Sequence, residues 1–353
     1  MSPPRREAQA EEADRIEGQP HPRETYELTG QDAALGRAAR AIRSGRPPQA
    51  WLLAGPPGIG KATLAYRIAR YLLRHGASAD GPADLSVSPS DPVSRQIEAG
   101  AHPGLLVLRR RTNERGKLKT VLDVEEIRRL GGFFGMTAEA GGWRVAIIDS
   151  ADDMNDNAAN ALLKILEEPP VRGLLILISH APGRLLPTIR SRTQRLDLKP
   201  LPDSVIKTAL AHLLPNISTE DRATLTSLAE GSLGLALRLA DGEGLKLARD
   251  AQSLISTRGA PDIPALTALA ERIGRSADGL VHFGEFLTQA VSQGIRERAR
   301  TAEGSTAATE RSVETWERLN ELYARATGLH LEPRQTVLAS AREIAAAKRR
   351  GAL

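Results

Sequence analysis

Apolar residues fall into short unbroken runs that alternate with longer periodic stretches as far as Lys199, and after that only the periodic kind remains. The runs are Trp51–Leu53, Leu105–Leu108, Val145–Ile148, Leu174–Ile178 and Arg195–Leu198. Each is too short for a helix, and most lack the polar alternation of a half-buried strand, so they predict strands of a parallel sheet covered on both faces. The periodic stretches between them predict helices. Leu35, Ala38, Ala39 and Ile42 share one face, as do Leu64, Ile68 and Leu72, and a further helix is expected around Val124–Leu130.

Another helix is expected from Asn155 or Asp156, either of which can cap it, to Pro169, which stops it. Residues 77–101 are rich in Ser, Pro, Asp and Gly and read as an insertion or long loop. Four divisions follow: a disordered charged tail over 1–24, an α/β domain over 25–200, a small helical domain over 201–262 and a second over 263–353. Helical periodicity is interrupted at Gly242–Gly244 and Gly259–Pro261, and Trp316, Leu319 and Tyr323 can line one helix face.

Composition narrows the chemistry. The 353 residues contain no cysteine, which excludes disulfides, thiolate zinc sites and cysteine nucleophiles. Aromatic residues make up only 3% of the chain, so Leu, Ile, Val and Ala must build the core. No apolar run reaches membrane-spanning length and no signal-peptide pattern is present, so a cytoplasmic location is expected. The net charge of +5 permits contact with nucleic acid without requiring it. Arg109, Arg110 and Arg111, with Arg115, Lys117 and Lys119, form a basic run that lacks interleaved aromatics, and it reads as a solvated loop. Any DNA contact there would be to phosphates, without sequence preference.

The candidate chemistry lies after the first run. Gly55-Pro56-Pro57-Gly58-Ile59-Gly60-Lys61-Ala62-Thr63 has the glycines and lysine of a phosphate-binding loop between a strand and a helix. Ala62 stands where such a loop places the hydroxyl that binds Mg²⁺, and Thr63 is turned about 100° further round the helix. ATP or ADP could still be held by backbone donors and Lys61, with Mg²⁺ uncertain. Asp149 ends the third run, where an acid would hold the metal of a bound nucleotide, and the next residue is Ser150 rather than a water-activating glutamate. Asp152 and Asp153 lie beyond the strand end.

Ala158–Pro170 and Arg184-Leu185-Leu186-Pro187-Thr188-Ile189-Arg190-Ser191-Arg192-Thr193 resemble the bacterial clamp-loader branch of the AAA+ ATPases. Leu28-Thr29-Gly30-Gln31, the phosphate loop, Gly100–Pro103 and Leu331–Gln335 extend the resemblance in order along nearly the whole chain after the tail. It implies an AAA+ P-loop domain with a five-stranded parallel sheet, then a helical lid and a helical collar. In that family a Ser-Arg-Cys motif presents an arginine to a neighbouring subunit's ATP, which makes Arg192 of Ser191-Arg192-Thr193 the finger candidate. Ser179 and His180 fall in the sensor-1 region, without an assigned catalytic role. The motor subunits carry a cis-sensing arginine in a Gly-Ser-x-Arg pattern, and here Gly231-Ser232-Leu233-Gly234 has glycine instead. The family's four-cysteine zinc module cannot form in a chain without cysteine.

The resemblance therefore implies a hetero-oligomer with gamma/tau-type motor and delta-type subunits, acting through the complex on a sliding clamp and primer–template DNA. Departures at Ala62, Ser150 and Gly234 point to a subunit that hydrolyses nothing itself. An active ATPase using Thr63 and Asp152 in shifted roles is the alternative. A small-molecule P-loop kinase fits less well, having no use for the C-terminal helices.

Overall fold

The computed structural model describes residues 19–111, 119, 121–135, 142–240, 244–257, 262–275, 279–301, 306–329 and 331–353. Residues 1–18 of the expected tail, Arg115 and Lys117 of the basic run, and the expected breaks at 242–243 and 259–261 lie outside these. Among the described residues one compact unit runs to Pro215 and takes in Ala229–Leu237, while the other holds Asn216–Leu228 and Arg238–Leu353.

The first unit is built on five strands, β1 (Ala50–Ala54), β2 (Leu105–Arg109), β3 (Arg144–Asp149), β4 (Gly173–Ser179) and β5 (Gln194–Asp197). They form one sheet in the order β2-β3-β4-β1-β5, with every pairing parallel. Helices cover both faces: α1 (Asp32–Arg43), α2 (Lys61–His75) and α3 (Pro92–Glu98) come early, then α4 (Val124–Gly135), α5 (Asp156–Glu167) and α6 (Pro187–Ser191), and α7 (Asp203–Leu213) follows the last strand. Alternation within the strands feeds two cores. Trp51, Leu53, Ile147, Ile176 and Ile178 pack with the apolar faces of α1 and α2. Leu52, Ala146, Ile148, Leu175 and Leu177 pack with α4, α5 and α6 on the other side. All five runs are strands within a residue or so of their expected ends; in β1, β3 and β4 burial on both faces leaves few polar positions to blur the pattern, whereas β5 is largely exposed.

Two segments differ from expectation. The stretch 77–101 contains α3, whose start is set by Asp91: its carboxylate accepts from the Val93 N–H at 2.9 Å, and Pro92 occupies the first helical position. Fully buried Leu85 and Ile97, with ion pairs Arg67–Asp84 and Arg74–Asp91 at 2.8 Å each, tie the stretch to α2. No zinc module is needed to hold it. The ordered chain also begins before Tyr26: His21 is buried, lies edge-on to Tyr66 at 6.0 Å and caps a 3₁₀ turn at Pro22–Glu24.

The second unit is helical, with α8 (Thr219–Leu228), α10 (Gly244–Ser256), α11 (Ile263–Ile273), α12 (Gly279–Thr301), α13 (Thr306–Gly328) and α14 (Pro333–Arg349). Between α8 and α10 in the chain, α9 (Leu233–Ala240) begins in the first unit. Phe283 and Tyr323 meet edge to face at 6.5 Å, and the Tyr323 and Ser340 hydroxyls are 2.9 Å apart. Leu319 and Tyr323 line the buried face of α13, but Trp316 does not, being 38% exposed. Thr315 and Ser312 take the buried positions instead, each satisfying its hydroxyl on a carbonyl four residues back.

Candidate functional site

The loop expected to cradle phosphate leaves the C-terminal end of β1 and opens α2, so its amides and the helix N-terminus converge where an anion would be favoured. Its outer surface is fully engaged. Lys61, only 3% exposed, folds back to donate from Nζ to the Gly55 and Pro56 carbonyls at 2.6 and 2.5 Å. The Pro57 carbonyl accepts from the Ser232 hydroxyl at 2.8 Å, the Gly58 carbonyl from the Gly234 N–H at 2.8 Å, and the Ile59 carbonyl from the Gln31 amide at 3.2 Å. Five consecutive carbonyls, 55 through 59, thus have partners from three separate parts of the chain. Gln31 also bridges to Lys199, donating to its carbonyl at 2.8 Å, and so links the loop to the exit of β5.

Gly58 and Gly234 permit this closeness. Gly58 has φ +71°, and a β-carbon there would strike the Ser232 hydroxyl. A β-carbon on Gly234 would lie 2.8 Å from the Gly58 Cα and 2.9 Å from its carbonyl oxygen. Position 234 is therefore committed to backbone contact with the loop.

Burial pushes the Lys61 pKa down to about 8, against the opposing pull of the Asp149 and Asp152 carboxylates. Asp149 ends β3 at this same edge of the sheet. Ala62 packs against the apolar core and Thr63 is the second residue after Lys61 in α2, so no hydroxyl follows the lysine directly. The backbone donors and Lys61 fit a phosphate group; the position after the lysine offers nothing to a metal ion.

Asp152 is fixed by its neighbours. Its carboxylate accepts from the Ser179 hydroxyl at 2.8 Å, the His180 N–H at 2.5 Å, the Ala181 N–H at 3.3 Å and the Ser150 hydroxyl at 3.3 Å. It pins the end of β4 to the turn after β3. Loss of hydration and the nearby Lys61 ammonium hold the His180 imidazole down to about 4, although its outer edge reaches solvent. Asp153 forms an ion pair with Arg110 at 3.0 Å, and Arg111 pairs with Glu126 at 2.9 Å. Of the described part of the basic run, Arg110, Arg111 and Lys119 are each paired with an acid.

Arg192 lies at the opposite end of the sheet. It closes α6, and beside it is a cavity of about 340 Å³ lined by residues that include Ala50, Leu175 and Gln194, which belong to the N-terminal ends of β1, β4 and β5. The length of β1, roughly 13 Å over its four steps, separates that end from the phosphate loop. The guanidinium donates to the Glu167 carboxylate at 3.0 Å and the Thr188 carbonyl at 3.2 Å. The arginine was visible in the sequence, whereas Gln31, Ser232 and Glu167 were not singled out for these roles.

A family profile described as DNA polymerase III, delta subunit, matches residues 30–202. The P-loop unit of this chain is similar to delta-prime subunits of DNA polymerase III. Among curated relatives, the delta-prime subunit of Pseudomonas aeruginosa is 40% identical over 198 residues, covering 56% of this chain and 57% of the relative. That of Escherichia coli is 33% identical over 203 residues, covering 58% of each. The gamma/tau subunit of Mycobacterium bovis is 30% identical over 195 residues, covering 53% of this chain and 30% of that subunit. The chain spans less than three-fifths of the length of the delta-prime relatives it matches. The α/β fold with a parallel five-stranded sheet and a helical C-terminal region expected from the sequence is the one observed.

Two outcomes test the loop. Gly234→Ala should destabilise the chain by about 1–3 kcal/mol, read as a lower urea midpoint, because the added methyl must displace Gly58 backbone. The unfolded Lys61 stays protonated to a higher pH than the buried one, so its burial opposes folding at neutral pH and that opposition fades as pH rises from about 8 towards the ordinary lysine value. Lys61→Met should flatten the rise of stability across that window in urea titrations at stepped pH.

Proposed function

We propose that this chain is a delta-prime-like subunit of a bacterial replicative clamp loader, part of the DNA polymerase III holoenzyme, and that it hydrolyses no ATP itself but supplies Arg192 in trans to a neighbouring motor subunit. The observation that carries the reading is the separation of Arg192 from the chain's own phosphate loop by the length of the sheet. An arginine there is out of reach of a nucleotide on its own loop and available to one held by a neighbour. A guanidinium is always charged and its fork of donors suits the oxygens of a transferring phosphoryl group.

The cis site supports the same reading. Ala62 supplies no metal ligand, Ser150 no base, and Gly234 no cation. Asp152, the acid that a shifted mechanism would need, is committed to four donors around the end of β4. The Gly58, Ile59 and Gly60 N–H groups and Lys61 would hold the phosphates of ATP or ADP if a nucleotide binds, serving the assembly and not turnover. In this reading the partners are gamma/tau-type and delta-type subunits in a cytoplasmic hetero-oligomer, and the sliding clamp and primed DNA are reached through the complex. Among the described residues no helix is long and apolar enough to cross a membrane.

The purified chain should not turn over ATP, and turnover abolished by Lys61→Ala would overturn the proposal. In the complex reconstituted with motor subunits, Arg192→Ala should slow the neighbour's site by on the order of a thousandfold, so that DNA-stimulated hydrolysis falls by that site's share of the total. Unchanged hydrolysis would remove Arg192 from the mechanism.

A further inference from the structure

We infer that Glu167 is the positioning residue for Arg192, an inference that rests on the trans-acting role proposed for that arginine. Arg192 follows a helix of five residues, and its side chain is 37% exposed. A guanidinium on a long, flexible stem at such a site samples many rotamers, and each must be abandoned before it can meet a phosphoryl group. Two acceptors restrict it. The Thr188 carbonyl, 3.2 Å from one terminal nitrogen, belongs to α6 and moves with it. The Glu167 carboxylate, 3.0 Å from the other, is the last residue of α5, which packs into the core on the side of the sheet that it shares with α6. Only the second contact fixes the arginine relative to an element outside its own turn.

The site of Glu167 argues against a purely helix-stabilising purpose. A carboxylate at a helix C-terminus faces the negative end of the helix dipole and is disfavoured there. At 52% exposure its pairing with Arg192 adds little to folding, since solvent screens such pairs. What the pair does accomplish is geometric. It uses one terminal nitrogen of the fork, Thr188 the other, and among the described residues no further acceptor takes the Nε–H or the remaining N–H groups. Those donors stay available to a phosphoryl group, and the exposed carboxylate is a weak enough partner to yield to a more highly charged anion.

The test uses the reconstituted complex with its motor subunits, comparing the chain carrying Glu167→Ala, Glu167→Gln, Arg192→Ala and Glu167→Ala with Arg192→Ala together. Glu167→Ala should lower kcat for the neighbour's ATP about tenfold, equivalent to about 1.4 kcal/mol of barrier, with KM for ATP and the melting temperature of the isolated chain unchanged. Glu167→Gln, which keeps the shape and an oxygen acceptor but not the charge, should recover part of the loss. In the Arg192→Ala background, Glu167→Ala should have no further effect, because the carboxylate acts only through the arginine.

If Glu167→Ala is silent while Arg192→Ala is not, the inference falls and the trans reading stands. If Arg192→Ala is itself silent, both fall. If Glu167→Ala slows hydrolysis equally with and without Arg192, or lowers the melting temperature by several degrees, its role is structural and the inference is overturned. Should the alanine variant fail to assemble, the same comparisons with Glu167→Gln decide the matter.

Discussion

A parallel sheet sealed on both faces by helices has nowhere to put chemistry except beyond the ends of its strands. In this unit the two cores are closed by apolar side chains from β1, β3 and β4. One end carries the phosphate loop, Asp149 and the Asp152 network, and the other carries Arg192. Because the strands are rigid spacers, the two ends cannot converge on a single substrate in one chain. The sheet thereby holds the glycine-lysine loop and Arg192 a strand length apart.

At the loop end, hydrogen bonds to five consecutive loop carbonyls, 55 through 59, fix the shape of the loop. Here Gln31, Ser232, the Gly234 amide and the Lys61 ammonium hold the loop with protein groups alone. Burial of the lysine is costly in solvation, and the two carbonyls it reaches, with the charges of Asp149 and Asp152, offset part of that cost. Glycine at position 234 permits backbone contact between α9 and the loop that a side chain would obstruct.

Much of this could be read before the structure. The strands were legible because burial on both faces leaves unbroken apolar runs, and the loop because glycine and lysine spacing is dictated by phosphate geometry. Asp91-Pro92, a helix start inside a stretch that otherwise reads as loop, was passed over because a two-residue signal is weak beside a run of Ser, Pro, Asp and Gly. The roles of Gln31 and Ser232 were not legible, since their partners lie up to 168 and 175 residues away and only the folded topology brings them together. Trp316 departs in the opposite direction: helical spacing puts it on one face with Leu319 and Tyr323, yet Thr315 and Ser312 satisfy their hydroxyls on the helix backbone and take the inner positions. Glu167 reads in sequence as one of two adjacent acids at a helix end, and its partner emerges only from the way α5 and α6 meet.

The position of β1 in the strand order also shapes how the chain comes off the ribosome. This first strand pairs with β4 on one side and β5 on the other, and neither exists until synthesis has passed Gly173 and Gln194. At translation rates of roughly 5–20 residues per second, a fully apolar strand waits on the order of 6–30 s without a hydrogen-bonding neighbour. β1, with the loop attached to it, can thus complete its pairing only after β4 and β5 have been made, and until then it depends on protection from premature pairing.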